Sequence, residues 1–306
     1  MSDNAGRWQR IRQIIAGPGN VGWAHSHAAL PFAEMAADQR LRVHFCARDL
    51  ANRARIGYVD IDPEHWTPVG PVSAAPVLDL GAPGTFDDHG VTTSWIVTHE
   101  GRQYYYYTGW TRGHTVPFYF FVGLAVSQGD GRRPRRISAA PILERNQIDP
   151  YLTASPCVLI EEGRWRMWYV SGVGWQSGAS APQPMYHIKY AESRDGITWE
   201  RRGVVCIDFA AADEHAIARP WVVRDTDRYR MWFCCRGRAY RIGYAESADG
   251  IVWDRRDADG GLLPAASGWD SEMVAYPCIV NHQGTRYLLY NGNGYGKTGF
   301  GVARWV

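Results

Sequence analysis

The chain has 306 residues, 45% of them hydrophobic and 21% charged, which is enough to bury a large core and too apolar for a disordered protein. Its 33 Lys and Arg against 31 Asp and Glu leave a formal charge of +2, so there is no electrostatic basis for a nucleic-acid or anionic-membrane partner. The opening MSDNAGRWQR lacks the apolar stretch of a secretory leader, and the longest apolar run, Val116 to Val126, is about half of what a membrane-spanning helix needs. A cytoplasmic location is expected, with the six cysteines as free thiols. The 14 Trp, 17 Tyr and 33 Gly favour short strands, tight turns and aromatic faces for flat ligands such as sugars.

In chain order, residues 7–15 (RWQRIRQII) form one short strand, whose Trp8 resembles Trp199 and Trp253. A weak hairpin, LPFAEMAADQRLRVHF, then ends at Phe45. Four stronger hairpins follow: WIVTHEGRQYYYY from Trp95, CVLIEEGRWRMWY from Cys157, WVVRDTDRYRMWF from Trp221 and CIVNHQGTRYLLY from Cys278. Their turn residues Gly101, Gly163, Asp227 and Gly284 are spaced 62, 64 and 57 apart. Each hairpin is followed by a third strand, such as HIKYAES from His187 or RIGYAES from Arg241, and an S-x-D-G turn leads to a fourth in SRDGITWERRG and SADGIVWDRR. Four antiparallel strands per unit of about sixty residues describe a propeller blade. The expectation is one all-β domain, a five-bladed β-propeller of four-stranded antiparallel blades near 20–70, 86–137, 148–203, 212–257 and 268–306. The fifth blade stops after three strands, so residues 7–15 are expected to complete it and close the ring.

The five-blade arrangement, the S-x-D-G-x-x-W turns and the inner strands A-S-P-C-V and A-R-P-W-V resemble glycoside hydrolase families 43, 32, 62, 68 and 130 over nearly the whole chain. The chain also resembles uncharacterised propellers that accompany sugar and polysaccharide biosynthesis genes. The resemblance implies a sugar or glycoside as small-molecule ligand and inward-facing carboxylates as the catalytic groups. It departs from families 43 and 32 at two places. Where they keep an essential Asp at the first blade, the chain reads W-A-H-S-H from Trp23, and where they keep a third-blade Glu, the nearest residues are Asp149 and Tyr151. Asp88 sits where family 43 keeps its auxiliary Asp.

In a propeller all inner strands start at one mouth, and second strands end there. Aligned on Pro31, Ser94, Pro156, Pro220 and Pro277, the positions seven residues earlier hold Asp87, Asp149, Asp213 and Asp270; Asp87, Asp213 and Asp270 are read as turn or cap residues ahead of ligand contacts, and Asp149 as a sugar-binding candidate. The next two positions bring in His25, Asp88, His89, Tyr151, Glu214, His215 and Glu272, with His27 nearby. Glycosidic cleavage needs a protonated carboxyl group and an ionised partner, and Glu214 with Asp88 is the leading pair, with Glu272 as competitor. His25, His27, His89 and His215 could hold one divalent metal ion, or bind sugar hydroxyls and move protons with no cofactor required. Second-strand ends add Arg48, Asp49, Trp110, His114, Trp175, Arg236 and Asn291, with Tyr276 and Arg219 on inner strands, as sugar-stacking or hydroxyl-binding candidates. Arg48 and Arg219 are read equally well as buried partners of the aspartates. Three readings result: a glycosyl-cleaving or glycosyl-transferring enzyme, a metal-dependent lyase, isomerase or hydrolase of a biosynthetic pathway, and a non-catalytic sugar-binding propeller. The sequence leaves the oligomeric state open.

Overall fold

A computed structural model describes residues 8–19, 21–36, 38–128, 133–177 and 181–306. Arg7 of the expected first strand, residues 20 and 37 of the expected first blade, 129–132 of the second and 178–180 of the third lie outside them. The regular structure of the described chain is nearly all β-strand, with two four-residue helices. In order it forms β1 (Trp8–Ile15), then β2 (Ser26–Met35), β3 (Leu41–Arg48), β4 (Ala54–Asp62) and β5 (Thr67–Pro68). Next come β6 (Gly90–His99), β7 (Arg102–Arg112), β8 (Phe118–Gln128) and β9 (Arg135–Arg136), followed by β10 (Thr153–Glu161), β11 (Arg164–Gln176), β12 (Gln183–Ser193) and β13 (Glu200–Ile207). The rest comprises β14 (Ala216–Arg224), β15 (Tyr229–Arg236), β16 (Tyr240–Ser247), β17 (Asp254–Arg255), α1 (Asp257–Gly260), β18 (Ala275–His282), β19 (Thr285–Asn291), α2 (Asn293–Gly296) and β20 (Phe300–Trp305).

Consecutive strands pair antiparallel within each repeat, and β1 runs antiparallel to β20, with Trp8 opposite Trp305 and Ile15 opposite Phe300. The chain divides into two compact units, Val77–Pro220 and Met1–Pro76 with Trp221–Val306. Among the described residues no helix is long and apolar enough to cross a membrane.

Local chemistry explains the repeat. In three hairpins two successive left-handed residues, Glu100–Gly101, Glu162–Gly163 and Gln283–Gly284, make the tight turn that matches strand twist. In the S-x-D-G turns Ser193 Oγ accepts the Gly196 amide at 2.9 Å, and Asp195 Oδ1 accepts those of Ile197 and Thr198 at 2.8 Å. Ser247 and Asp249 repeat these bonds with Gly250, Ile251 and Val252.

The aspartates seven residues before the aligned position do something else. Asp87, Asp149 and Asp270 are buried, and each accepts a hydrogen bond from the tyrosine 20 residues later: Tyr107 at 3.0 Å, Tyr169 at 3.0 Å and Tyr290 at 2.9 Å. Each also pairs with an arginine of the outermost strand, Arg136 at 2.7 Å, Arg201 at 3.0 Å and Arg10 at 2.7 Å. This clamp fixes the loop before an inner strand to the outer edge of the same group of strands. Asp213 is exposed instead, and the residue 20 positions after it is Phe233, which has no hydroxyl to donate.

Candidate functional site

In the Val77–Pro220 unit the starts of β6, β10 and β14 and the ends of β7 and β11 gather polar and aromatic side chains. Asp88 is half-buried, its Oδ2 accepting the Gly84 amide at 3.0 Å. His89 lies edge-on to Trp110, centroids 4.6 Å apart, and its Nε2 accepts Arg112 Nε–H at 3.0 Å. A guanidinium has no acceptor, so Nε2 offers its lone pair to Arg112 and the ring proton sits on Nδ1. That lone pair is then already engaged and not offered to a metal. Trp175 packs edge-on against Phe118 at 5.4 Å, while Tyr151 and His114 are exposed. Glu214, just before β14, is only 4% exposed, and its Oε2 accepts the Ala210 amide at 2.8 Å. His215 beside it has Nδ1 3.3 Å from the Asp213 carbonyl, and its Nε2 is buried with no hydrogen-bond partner.

In the other unit His25, Asp49, Arg53 and Trp23 line a cavity of about 720 Å³. Asp49 accepts the Ala51 and Arg53 amides and pairs with Arg53 at 2.9 Å and Arg55 at 2.7 Å. Burial raises its carboxyl, but those bonds prevail and bring it down to about 2. Its oxygens are spent on a turn, so it is a weak ligand contact. Arg48 donates to Asn52 at 3.0 Å, Arg236 lies over Tyr240 and Tyr295, and Tyr276 is half-buried with its amide on Cys234 Sγ at 2.9 Å. Glu272 is exposed, its amide held by Asn293 Oδ1 at 2.8 Å.

His27 takes a left-handed backbone with φ 63° and sits 2.9 Å from Ser26 Oγ. Burial, then the positive charges of Arg48 and Lys297, lower its ring to about 4. The folded ring is therefore neutral where an unfolded chain takes up a proton near 6.5. Acidification from about pH 6.5 to 4 should favour unfolding through this group, and below 4 the loss is complete. Melting curves at pH 7 and 5 should show a smaller acid loss in His27→Gln than in the wild type; equal losses would remove His27 as the source.

Three expected contact residues belong to the framework. Asp149 is fully buried in its clamp and does not reach a ligand-accessible surface. Arg219 is 1% exposed and donates to the Thr93 carbonyl at 2.6 Å, which ties β14 to β6 and leaves it no ligand-facing surface. Asn291 is fully buried, accepting the Leu30 amide at 2.8 Å and donating to the Ala28 and Gly299 carbonyls at 2.7 Å. Within either unit the histidine pairs, His25 with His27 and His89 with His215, join no group of three ligand-bearing side chains among the described residues. Sequence reasoning passed over Arg112, Phe118 and Lys297. A signal existed for the first two: β7 and β8 form a long hairpin that carries its end past His89. All six cysteines are free and buried.

No family model matches the chain. The Uncharacterized protein Rv1502 of Mycobacterium tuberculosis is 41% identical over 296 residues, covering 97% of this chain and 98% of that protein. Among solved structures, a glycosyl hydrolase from Bacteroides ovatus superposes with a TM-score of 0.71 at 15% identity, over 98% of this chain and 94% of that one. A thermostable family-43 glycoside hydrolase gives 0.67 at 14% identity, over 95% and 91%. A protein from work on the GH130 family of mannoside phosphorylases, which contains hydrolases of β-1,2 mannosidic linkages in Candida mannan, gives 0.67 at 16% identity, over 99% and 95%. The likeness expected from the repeat is thus present, and at these identities it is one of fold.

Proposed function

Since the chain belongs to the family of the M. tuberculosis protein Rv1502 and has the fold of propeller glycoside hydrolases, we propose that it is a glycosidase-like enzyme, cleaving or transferring a glycosyl group of a sugar-containing metabolite. In this reading the five four-stranded groups form one five-bladed propeller, β1 completes the last blade, and the strand starts make a single mouth. The observation that carries it is the contrast between two carboxyl groups at strand starts. Glu214 is nearly sealed from water, while Asp88 is half-buried at the open rim. A proton donor needs shelter and a base or nucleophile needs hydration, so Glu214 gives its proton to the leaving oxygen and Asp88 acts at the anomeric carbon, directly or through water. Trp110, Trp175 and Tyr151 offer stacking faces. The orphaned Nε2 of His215 beside Glu214 is the kind of unsatisfied group that gathers at functional sites.

The test is product release from a panel of oligosaccharides and aryl glycosides, with Asp88→Asn as comparator. Turnover should fall about 100-fold or more in the variant. A wild type that binds sugars across the panel and releases no product would replace the enzyme with a sugar-binding protein.

A further inference from the structure

We infer that the unit formed by Met1–Pro76 and Trp221–Val306 binds the anionic group, a carboxylate or a phosphate, of a sugar ligand through an arc of cations formed by Arg48, Lys297 and Arg236. The inference rests on the proposed reading that the ligand is a sugar. Arg48 stands opposite Ser26 across β2 and β3, and His27 follows directly. The loop after β19 is pressed onto β2, since a Cβ on Gly296 would lie 2.8 Å from that of Ala29, and this brings Lys297 beside the same segment. On the other side of the loop, the Tyr295 ring is 5.9 Å from the Arg236 guanidinium, which also lies 5.6 Å over Tyr240. Sequence, register and packing thus run Arg48, His27, Lys297, Tyr295, Arg236.

These cations differ from most arginines of the same unit. Arg42 pairs with Asp60 at 2.9 Å, Arg255 with Asp257 at 2.7 Å and Arg286 with Asp225 at 2.6 Å. Among the described residues Arg48, Lys297 and Arg236 have no ion pair, and Arg48 has only the neutral Asn52. The acids nearest in sequence do not neutralise them: Asp49 is engaged by Arg53 and Arg55, and Glu272 points into solvent. Three cations without an acidic partner give this end of the unit a positive potential that attracts an anion. The Tyr240 and Tyr295 rings, 6.0 Å apart and nearly perpendicular, both stand on one side of the Arg236 guanidinium, and a guanidinium can make paired bonds to two oxygens, the geometry a carboxylate or phosphate presents. Burial is the larger cause of the low ring value of His27, and the charges of Arg48 and Lys297 add to it.

Calorimetry of the full chain at low salt tests this, with uronic acids and sugar phosphates each matched to its neutral parent sugar, and with inorganic phosphate alone. At least one anionic sugar should bind tenfold or more tightly than its parent, and the uronate and phosphate arms show which anion is meant. Lys297→Met and Arg236→Ala should each reduce that preference at least severalfold while the melting temperature is kept, with Arg48→Gln as a third variant should either fail to fold. Neutral parents binding as tightly throughout, a preference that survives in all folded variants, or inorganic phosphate binding as tightly as any sugar phosphate would each overturn the inference. The readout is binding, so a turnover failure leaves it standing, and an active enzyme with no anion preference would overturn it while keeping the proposed function.

Discussion

Glu214→Gln should lower turnover of glycosides with alcohol leaving groups by about 100- to 10,000-fold, the usual contribution of a positioned general acid. It should leave dinitrophenyl glycosides nearly untouched. The split follows from the proton's role: an alkoxide is a poor leaving group and must be protonated as the bond breaks, whereas a dinitrophenolate departs as the anion. The amide oxygen of Gln can still accept the Ala210 N–H now held by Oε2 at 2.8 Å, so the loop before β14 keeps its bond and the fold its stability. Asp88→Asn should depress both substrate classes, because attack at the anomeric carbon is needed whichever group leaves. A uniform loss in Glu214→Gln would move the acid's part to another residue, with Glu272 next in line. Full activity in the variant would remove Glu214 from the chemistry.

The repeat was legible because its parts are local. Paired left-handed residues in the hairpins and the Ser and Asp bonds of the S-x-D-G turns are written in adjacent residues, and Trp8 announced that β1 belongs with outer strands. The clamp was legible in principle. Tyrosine stands 20 residues after each buried aspartate, at Tyr107, Tyr169 and Tyr290, and phenylalanine, Phe233, stands where the aspartate is exposed. The fourth strands carry the third member at Arg10, Arg136 and Arg201. Reading each aspartate against its own neighbours hid a pairing that spans two strands. The rim was harder, because the residue before the aligned position is left-handed at Leu30, Ser155, Arg219 and Tyr276. The pairing register shifts around the first, second and last of these, at Ala29/Phe32, Ala154/Cys157 and Ala275/Cys278. A one-residue bulge reverses which face the following side chains take, so alternation could not tell a buried Arg219 from a solvent-facing one. Asn291 was chosen for its polarity, and that polarity satisfies backbone groups around the bulge.

Asp149→Ala should be the most damaging single change to the fold. Asp149 Oδ1 accepts from Ser171 at 2.7 Å and from Lys189 at 3.3 Å, and Oδ2 accepts from Tyr169 and Arg201 at 3.0 Å. Burial, then the adjacent carboxylate of Asp149, push the Tyr169 phenol well above its ordinary value, so it remains a donor at any working pH. Truncation leaves the side chains of Lys189 and Arg201, 10% and 8% exposed, without their shared counterion. Breaking such a buried pair costs about 3–5 kcal/mol, which at roughly 2–4 °C per kcal/mol lowers the melting temperature by about 10 °C. Tyr169→Phe removes one bond and should cost about 1 kcal/mol, while Asp149→Asn keeps the shape, loses the charge and should fall between. That order distinguishes framework from ligand contact. A residue that met the sugar would, as Asn, raise KM and leave melting unchanged, whereas a clamp residue lowers melting and leaves KM of the surviving folded fraction alone.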